Sequence, residues 1–181
     1  MTLATNETET YDHHVPATDL HSSSKARLVS APLPGLEPAF DVVVDLGPLE
    51  DHGMTRAGHR RVIPIVGGSV TGAFEAEILP GGADWQVVRP DGAVEVSALY
   101  SARTTGGALI LVSSTGVRSG PPDVLDALLR GERVDPAVYY FRTLIRIETS
   151  EPALAALQDV LFIAAAARAA DQVTYTAYRV T

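Results

Sequence analysis

Ser69-Val70-Thr71-Gly72-Ala73-Phe74-Glu75-Ala76-Glu77-Ile78-Leu79-Pro80-Gly81-Gly82 is the stretch on which the fold turns. Val70, Gly72, Phe74, Ala76 and Ile78 alternate with Ser69, Thr71, Ala73, Glu75 and Glu77, the period of two that gives a strand one buried and one wet face. Pro80-Gly81-Gly82 then offers the positive-φ positions of a tight hairpin. The segment therefore reads as one meander strand, Val70–Leu79, turning directly into the next.

The same texture runs outward in both directions. Short β-branched runs separated by Gly and Pro predict strands near Phe40–Leu46, Arg60–Val66, Asp84–Arg89, Ala93–Arg103, Ala108–Val117, Tyr139–Glu148, Ala156–Ala166 and Gln172–Val180. Alanine in Leu161–Ala167 favours helix while Val, Phe and Ile around it favour strand, and the strand reading is taken. Pro90-Asp91-Gly92 and Gly106-Gly107 mark further hairpins, so consecutive strands pair antiparallel. One short helix interrupts them: Pro121-Pro122-Asp123 opens it, Val124, Leu125, Leu128 and Leu129 form its apolar stripe, and Gly131 closes it. A meander this long sheds its edges by closing, which predicts an all-β, closed or nearly closed antiparallel β-barrel. At about eight to ten strands such a barrel holds one small ligand.

Residues 1–36 are rich in Thr, Ser, His, Asp and Pro without either period, and are expected to be a flexible N-terminal arm or a lid over the barrel domain, 37–181. The start of the chain has neither a basic region nor a hydrophobic stretch, and no apolar run approaches the roughly twenty residues that span a bilayer. A cytoplasmic protein without membrane partners is the expectation.

Composition narrows the chemistry. A formal charge of −8 and the lack of a Lys/Arg-rich patch argue against nucleic acid. Without cysteine there are no disulfides, thiolate nucleophiles or Cys-ligated metals. The one lysine, Lys25, lies in the arm, which disfavours Schiff-base chemistry. Only His52 and His59 lie beyond the arm, and Asp12, His13, His14, Asp19 and His21 within it suit adventitious metal binding better than a true site. Neither Gly-x-Gly-x-x-Gly, Gly-x-x-x-x-Gly-Lys nor Gly-x-Ser-x-Gly is present, so no cofactor and no metal are expected.

What remains is arginine, tyrosine and acid beside glycine-rich turns. Three segments carry it: Gly58-His59-Arg60-Arg61-Val62-Ile63-Pro64-Ile65-Val66-Gly67-Gly68, Leu79-Pro80-Gly81-Gly82-Ala83-Asp84-Trp85-Gln86 and Tyr139-Tyr140-Phe141-Arg142-Thr143. In these three ordered motifs the chain resembles the family known as domain of unknown function 3237, over roughly Phe40 to Val180. The resemblance implies a lipocalin-like barrel, commonly a homo-oligomer, with a pocket among the motifs and no general reaction attached. The chain departs from the family pattern at Leu99, Ile145, Ile147 and Gln158. Repacking around a more apolar ligand and functionally silent drift both fit those changes.

Individual residues carry two readings each. Asp84 is either a general acid or base, its pKa raised by apolar neighbours such as Trp85, or an acceptor for backbone N–H groups near the turn. Tyr140 and Arg142 share a strand face and suit an enolate or phenolate, unless Arg142 bridges to a carboxylate such as Asp84. Arg60 and Arg118 have the same alternatives, and His59 is either a base near neutrality or a solvated side chain. The candidate catalytic set is Asp84, Tyr140, Arg142 and Arg60, with Trp85, His59, Tyr100, Arg118, Phe141 and Gln158 around the ligand. The leading expectation is a cofactor-independent isomerase, cyclase or lyase acting on a small hydrophobic carbonyl or phenolic compound, for instance in ring closure of a polyketide-like intermediate in natural-product metabolism. The alternative is a non-catalytic carrier of a hydrophobic molecule.

Overall fold

Alternation along each strand selects its inward side chains, and the strands wind these into one closed wall. The computed structural model describes residues 31–181, so the expectations for the arm and its histidines fall, up to residue 30, outside the described residues. In chain order the strands are β1 (Leu36–Leu46), β2 (Glu50–Thr55), β3 (Gly58–Gly72), β4 (Ala76–Ile78), β5 (Gly82–Val88), β6 (Val94–Thr104), β7 (Leu109–Ser119), β8 (Tyr140–Thr149), β9 (Phe162–Arg168) and β10 (Gln172–Val180). Helix α1 (Pro122–Leu129) joins β7 to β8.

The ten strands make eight staves. β1 pairs with β3 from Phe40↔Gly72 to Leu46↔Ile65, and β2 continues along the same side of β3 from Glu50↔Val62 to Thr55↔Gly58. On the other side of β3, β4 covers Ser69 and Val70 while β5 covers His59 to Ile65, and both also pair with β6. Pairs β6–β7, β7–β8, β8–β9 and β9–β10 follow in sequence, and β10 returns to β1, closing an eight-stave antiparallel barrel.

This pairing corrects three expectations. Val70–Leu79 is not one strand: Gly72, at φ 116°, ends β3, and Phe74 sits in the bend before β4. Pro80-Gly81-Gly82 is not a hairpin but an irregularity inside one stave, because β4 and β5 on either side of it both pair with β6, the register shifting between Ile78↔Ala102 and Ala83↔Leu99. The strand expected from Ala156 begins only at Phe162, since Pro152–Gln158 is a 3-10 turn whose start is capped by Glu151, the carboxylate of which accepts from Ala153 N. The hairpins at Pro90-Asp91-Gly92 and Gly106-Gly107 form as expected, with Gly92 and Gly107 at positive φ. Helix α1 also matches, and Gly131, at φ 77°, donates to Leu128 O at its C-terminal end.

The two ends of the barrel differ. At one, Phe40 packs on Phe74 and Phe162 with ring centroids 5.3 and 5.1 Å apart, above Ile78, Ile110, Ile147 and Ala177. That end is sealed by apolar contact. At the other, α1 tucks Leu128 into the core and leaves polar side chains beneath it. Among the described residues no helix is long and apolar enough to cross a membrane.

Candidate functional site

Arg61, Asp84, Gln86, Ser114, Arg118 and Thr143 sit on the inward parity of four staves. β3 turns Arg61, Ile63 and Ile65 inward; β5 does the same with Asp84 and Gln86; β7 with Val112, Ser114 and Arg118; β8 with Phe141, Thr143, Ile145 and Ile147. Gly82 lets β5 press against β6, since a Cβ there would lie 2.5 Å from Tyr100 Cβ and 2.7 Å from Leu99 O. That close approach sets Asp84 beside Ala98.

Asp84 stands between two spaces. The inner one, about 50 Å³, is lined by Asp84, Tyr100, Ser114, Phe141, Thr143 and Tyr175 among apolar neighbours. It has room for a few waters or one small functional group. The outer one, about 190 Å³, lies under α1 and is lined by Arg61, Gln86, Arg118 and Arg168 with Ile63, Leu128 and Leu129. Asp84 Oδ2 accepts from Gln86 Nε2 at 2.6 Å, and Gln86 Oε1 accepts from Arg61 Nη2 at 3.2 Å, so a relay of three side chains links the spaces.

Burial raises the Asp84 pKa above the usual carboxylate range, against the opposing pull of the bonds from Gln86 and the Ser97 amide and of the Arg118 and Arg168 charges. The Ser97 N–H donates to Oδ1 at 3.0 Å, so Asp84 does accept a backbone bond, across the stave rather than within its turn. Tyr100 and Tyr175 share a 2.6 Å hydrogen bond deep in the inner space. Burial pushes the Tyr100 phenol up to about 12 and Tyr175 well above its ordinary value. One hydroxyl proton serves the pair, which leaves the second free to donate into the cavity.

Among the described residues Arg61, Arg118 and Arg168 form no salt bridge with a carboxylate. Arg118 is 5% exposed, its guanidinium 5.6 Å from the Phe141 ring centroid, and burial first, then the Arg168 and Arg61 charges, lower its pKa to about 10. The Nε atoms of Arg61 and Arg118 are buried with no hydrogen-bond partner among the described residues. Arg168 donates from Nη1 to the Ala169 carbonyl and, at 3.1 Å, to Gln172 O, while its own amide donates to Tyr139 Oη at 2.9 Å.

Of the residues singled out from sequence, Asp84, Tyr100, Arg118 and Phe141 line the interior. Arg60 and Trp85 lie together on the outer face. Tyr140 and Arg142 do share a face, but it is the outer one: the Arg142 guanidinium lies 5.3 Å from the Tyr140 ring centroid and donates to Phe141 O at 2.9 Å. Among the described residues Arg142 forms no salt bridge. His59 Nε2 lies 2.7 Å from Asp51 Oδ1 on the exposed β2–β3 hairpin, and Gln158 accepts from Thr149 N at 3.2 Å on a surface groove. Sequence reasoning passed over Arg61, Gln86, Arg168, Ser114, Thr143 and Tyr175. Parity with Ile63 and Ile65 marks Arg61, and parity with Asp84 marks Gln86.

Fold and site together define a closed antiparallel β-barrel, sealed by phenylalanines at one end and lined by arginines under a helix at the other. The chain belongs to the DUF3237 family of proteins of unknown function, which it matches over residues 34–180. A UPF0311 protein of Bradyrhizobium diazoefficiens is 42% identical over 141 residues, 78% of this chain and 93% of that protein. The crystal structure of a conserved protein of unknown function from Rhodopseudomonas palustris superposes with a TM-score of 0.79 at 39% identity, covering 84% of this chain and 100% of that one. An enzyme from Penicillium herquei shares the fold, with a TM-score of 0.62 at 20% identity over 85% of this chain and 100% of that one.

Proposed function

We propose that the barrel is a cofactor-independent isomerase, cyclase or lyase that moves a proton on a small carbonyl or phenolic compound, with Asp84 as its acid–base group. The observation that carries this reading is the Asp84 carboxyl, drawn above its ordinary pKa and facing a cavity that also presents a tyrosine pair. A base is most effective when its pKa lies near the working pH, and burial moves Asp84 in that direction.

The chemistry follows from the placement. The Asp84 carboxylate removes a proton from the carbon beside a carbonyl, the C–H electron pair becomes a C=C bond, and the carbonyl π pair moves onto oxygen. The free O–H of the Tyr100–Tyr175 pair donates to that oxygen, and the positive charge of Arg118 and Arg168 further stabilises it. Returning the proton to another atom completes an isomerisation. Attack of the enolate or phenolate on a second centre of the same molecule closes a ring, the step that a natural-product cyclase would need. Departure of a leaving group makes a lyase.

Enolisable aryl ketones incubated in deuterium oxide test this by proton NMR. The wild type is expected to exchange the α-proton, and Asp84→Asn to lose about 10²–10⁴-fold of that rate. Equal rates in both, with the ketones bound, would leave a carrier instead. A carrier needs the same cavity but no acid–base group.

A further inference from the structure

We infer that the chamber under α1 is a carboxylate site: its occupant is the carboxylate end of a small organic acid with an apolar body, gripped by Arg118, Arg61 and Arg168. To call that acid the substrate rests on the proposed function; the site itself does not.

Three guanidiniums face one chamber, and the only acid in its hydrogen-bonded relay is Asp84. The chamber lining, with three arginines and no carboxylate, therefore carries excess positive charge inside a chain whose overall formal charge is −8. Surface attraction does not explain such a cluster, because gathering like charges out of water is unfavourable unless something offsets it. Nor do structural bonds: among the described residues Arg118 lies over the face of Phe141, and its buried Nε, like that of Arg61, has no acceptor. A buried donor without an acceptor among the described residues points to a further group in the chamber.

The shape of that group is constrained. A guanidinium presents a planar fork that matches the two oxygens of a carboxylate. Half the wall is apolar, however, from Ile63, Leu128, Leu129 and Pro48, which a bare inorganic ion would leave unused. An organic acid uses both halves. The carboxylate lies against the arginines and the apolar body against α1, or it points past Gln86 toward Asp84 and the tyrosine pair. With its carboxylate held there, a ligand's next carbon atoms are carried toward the only buried acid–base group on the relay. The arginine chamber thus supplies the positioning that the inner cavity, at about 50 Å³, is too small to supply alone.

Isothermal titration calorimetry with benzoate, benzyl alcohol and inorganic phosphate tests the site without reference to turnover. Benzoate is expected to bind the wild type, and benzyl alcohol and phosphate at least about tenfold more weakly, the least that loss of a charge-assisted hydrogen bond produces. Arg118→Met should lose at least about tenfold in benzoate affinity. Asp84→Asn, which removes a neighbouring negative charge, should keep or tighten it, so benzoate binding survives even if the proton-transfer reading fails. Benzyl alcohol binding as well as benzoate would overturn the inference, as would phosphate binding equally well or an unchanged affinity in Arg118→Met. Circular dichroism of each variant confirms that a lost affinity is not a lost fold, and Arg168→Gln provides a second variant with the same expected loss.

Discussion

Burial, and then the neighbouring Arg168 and Arg61 charges, disfavour the charged form of the Arg118 guanidinium, which is why its pKa falls to about 10. A base with a depressed folded-state pKa binds its proton less well in the native state than in the unfolded one. Stability is therefore reduced at neutral pH and recovers only as pH rises through about 10. Methionine fills similar space without charge, so Arg118→Met should raise stability at pH 7 by about 1–4 kcal/mol while weakening carboxylate binding. Chemical denaturation across pH checks this: the gap should be full at neutral pH and shrink above pH 10. A destabilised Arg118→Met would mean that the arginine is a structural tie rather than a ligand group. The same residue scale shows which face of β8 its motif residues occupy. On β8 the outward Arg142, Arg146 and Glu148 alternate with the inward Phe141, Thr143, Ile145 and Ile147, so parity places Tyr140 and Arg142 outside.

At the scale of the element, local signals served where the partner strand was also local. The Asp91-Gly92 and Gly106-Gly107 hairpins and the Pro121–Gly131 helix were legible because each is closed by bonds a few residues apart. Pro80-Gly81-Gly82 was not, because the choice between hairpin and in-stave irregularity is made by β6, some twenty residues on. The Gly67-Gly68 stretch of β3 hides a second case. Asp45 pairs with Gly67 but Leu46 with Ile65, so the register slips by one and the inward set changes from Arg61, Ile63 and Ile65 to Val70. Gly68, at φ 134°, would place a Cβ 2.1 Å from Val43 O, a close approach that no sequence pattern announces. Gly82 makes a similar demand between β5 and β6. Gly82→Ala is predicted to cost about 1–3 kcal/mol through overpacking, read as a lower denaturant midpoint at unchanged m-value. It should also disturb the Tyr100–Tyr175 bond, visible as a changed tyrosine absorbance titration. An unaltered midpoint would show that the two strands do not approach as closely as described.

For the whole molecule, the closed barrel follows from a meander with many short strands and no other way to cover its edges, and that much could be read from sequence. The division of its interior could not. It depends on which inward side chains meet across the barrel: three phenylalanines from β1, β9 and the β3–β4 bend at one end, three arginines from β3, β7 and β9 at the other. Asp84 lies between an apolar and a cationic region, and its chemistry depends on the balance of the two. Its carboxyl is raised by burial and pulled back by Arg118 and Arg168. Carbon-13 NMR of the Asp84 carboxyl, titrated with and without benzoate, measures that balance directly. The midpoint is expected above that of an ordinary aspartate, moving higher when benzoate binds or when Arg118 becomes methionine. A midpoint at or below the ordinary value, unmoved by either change, would contradict it.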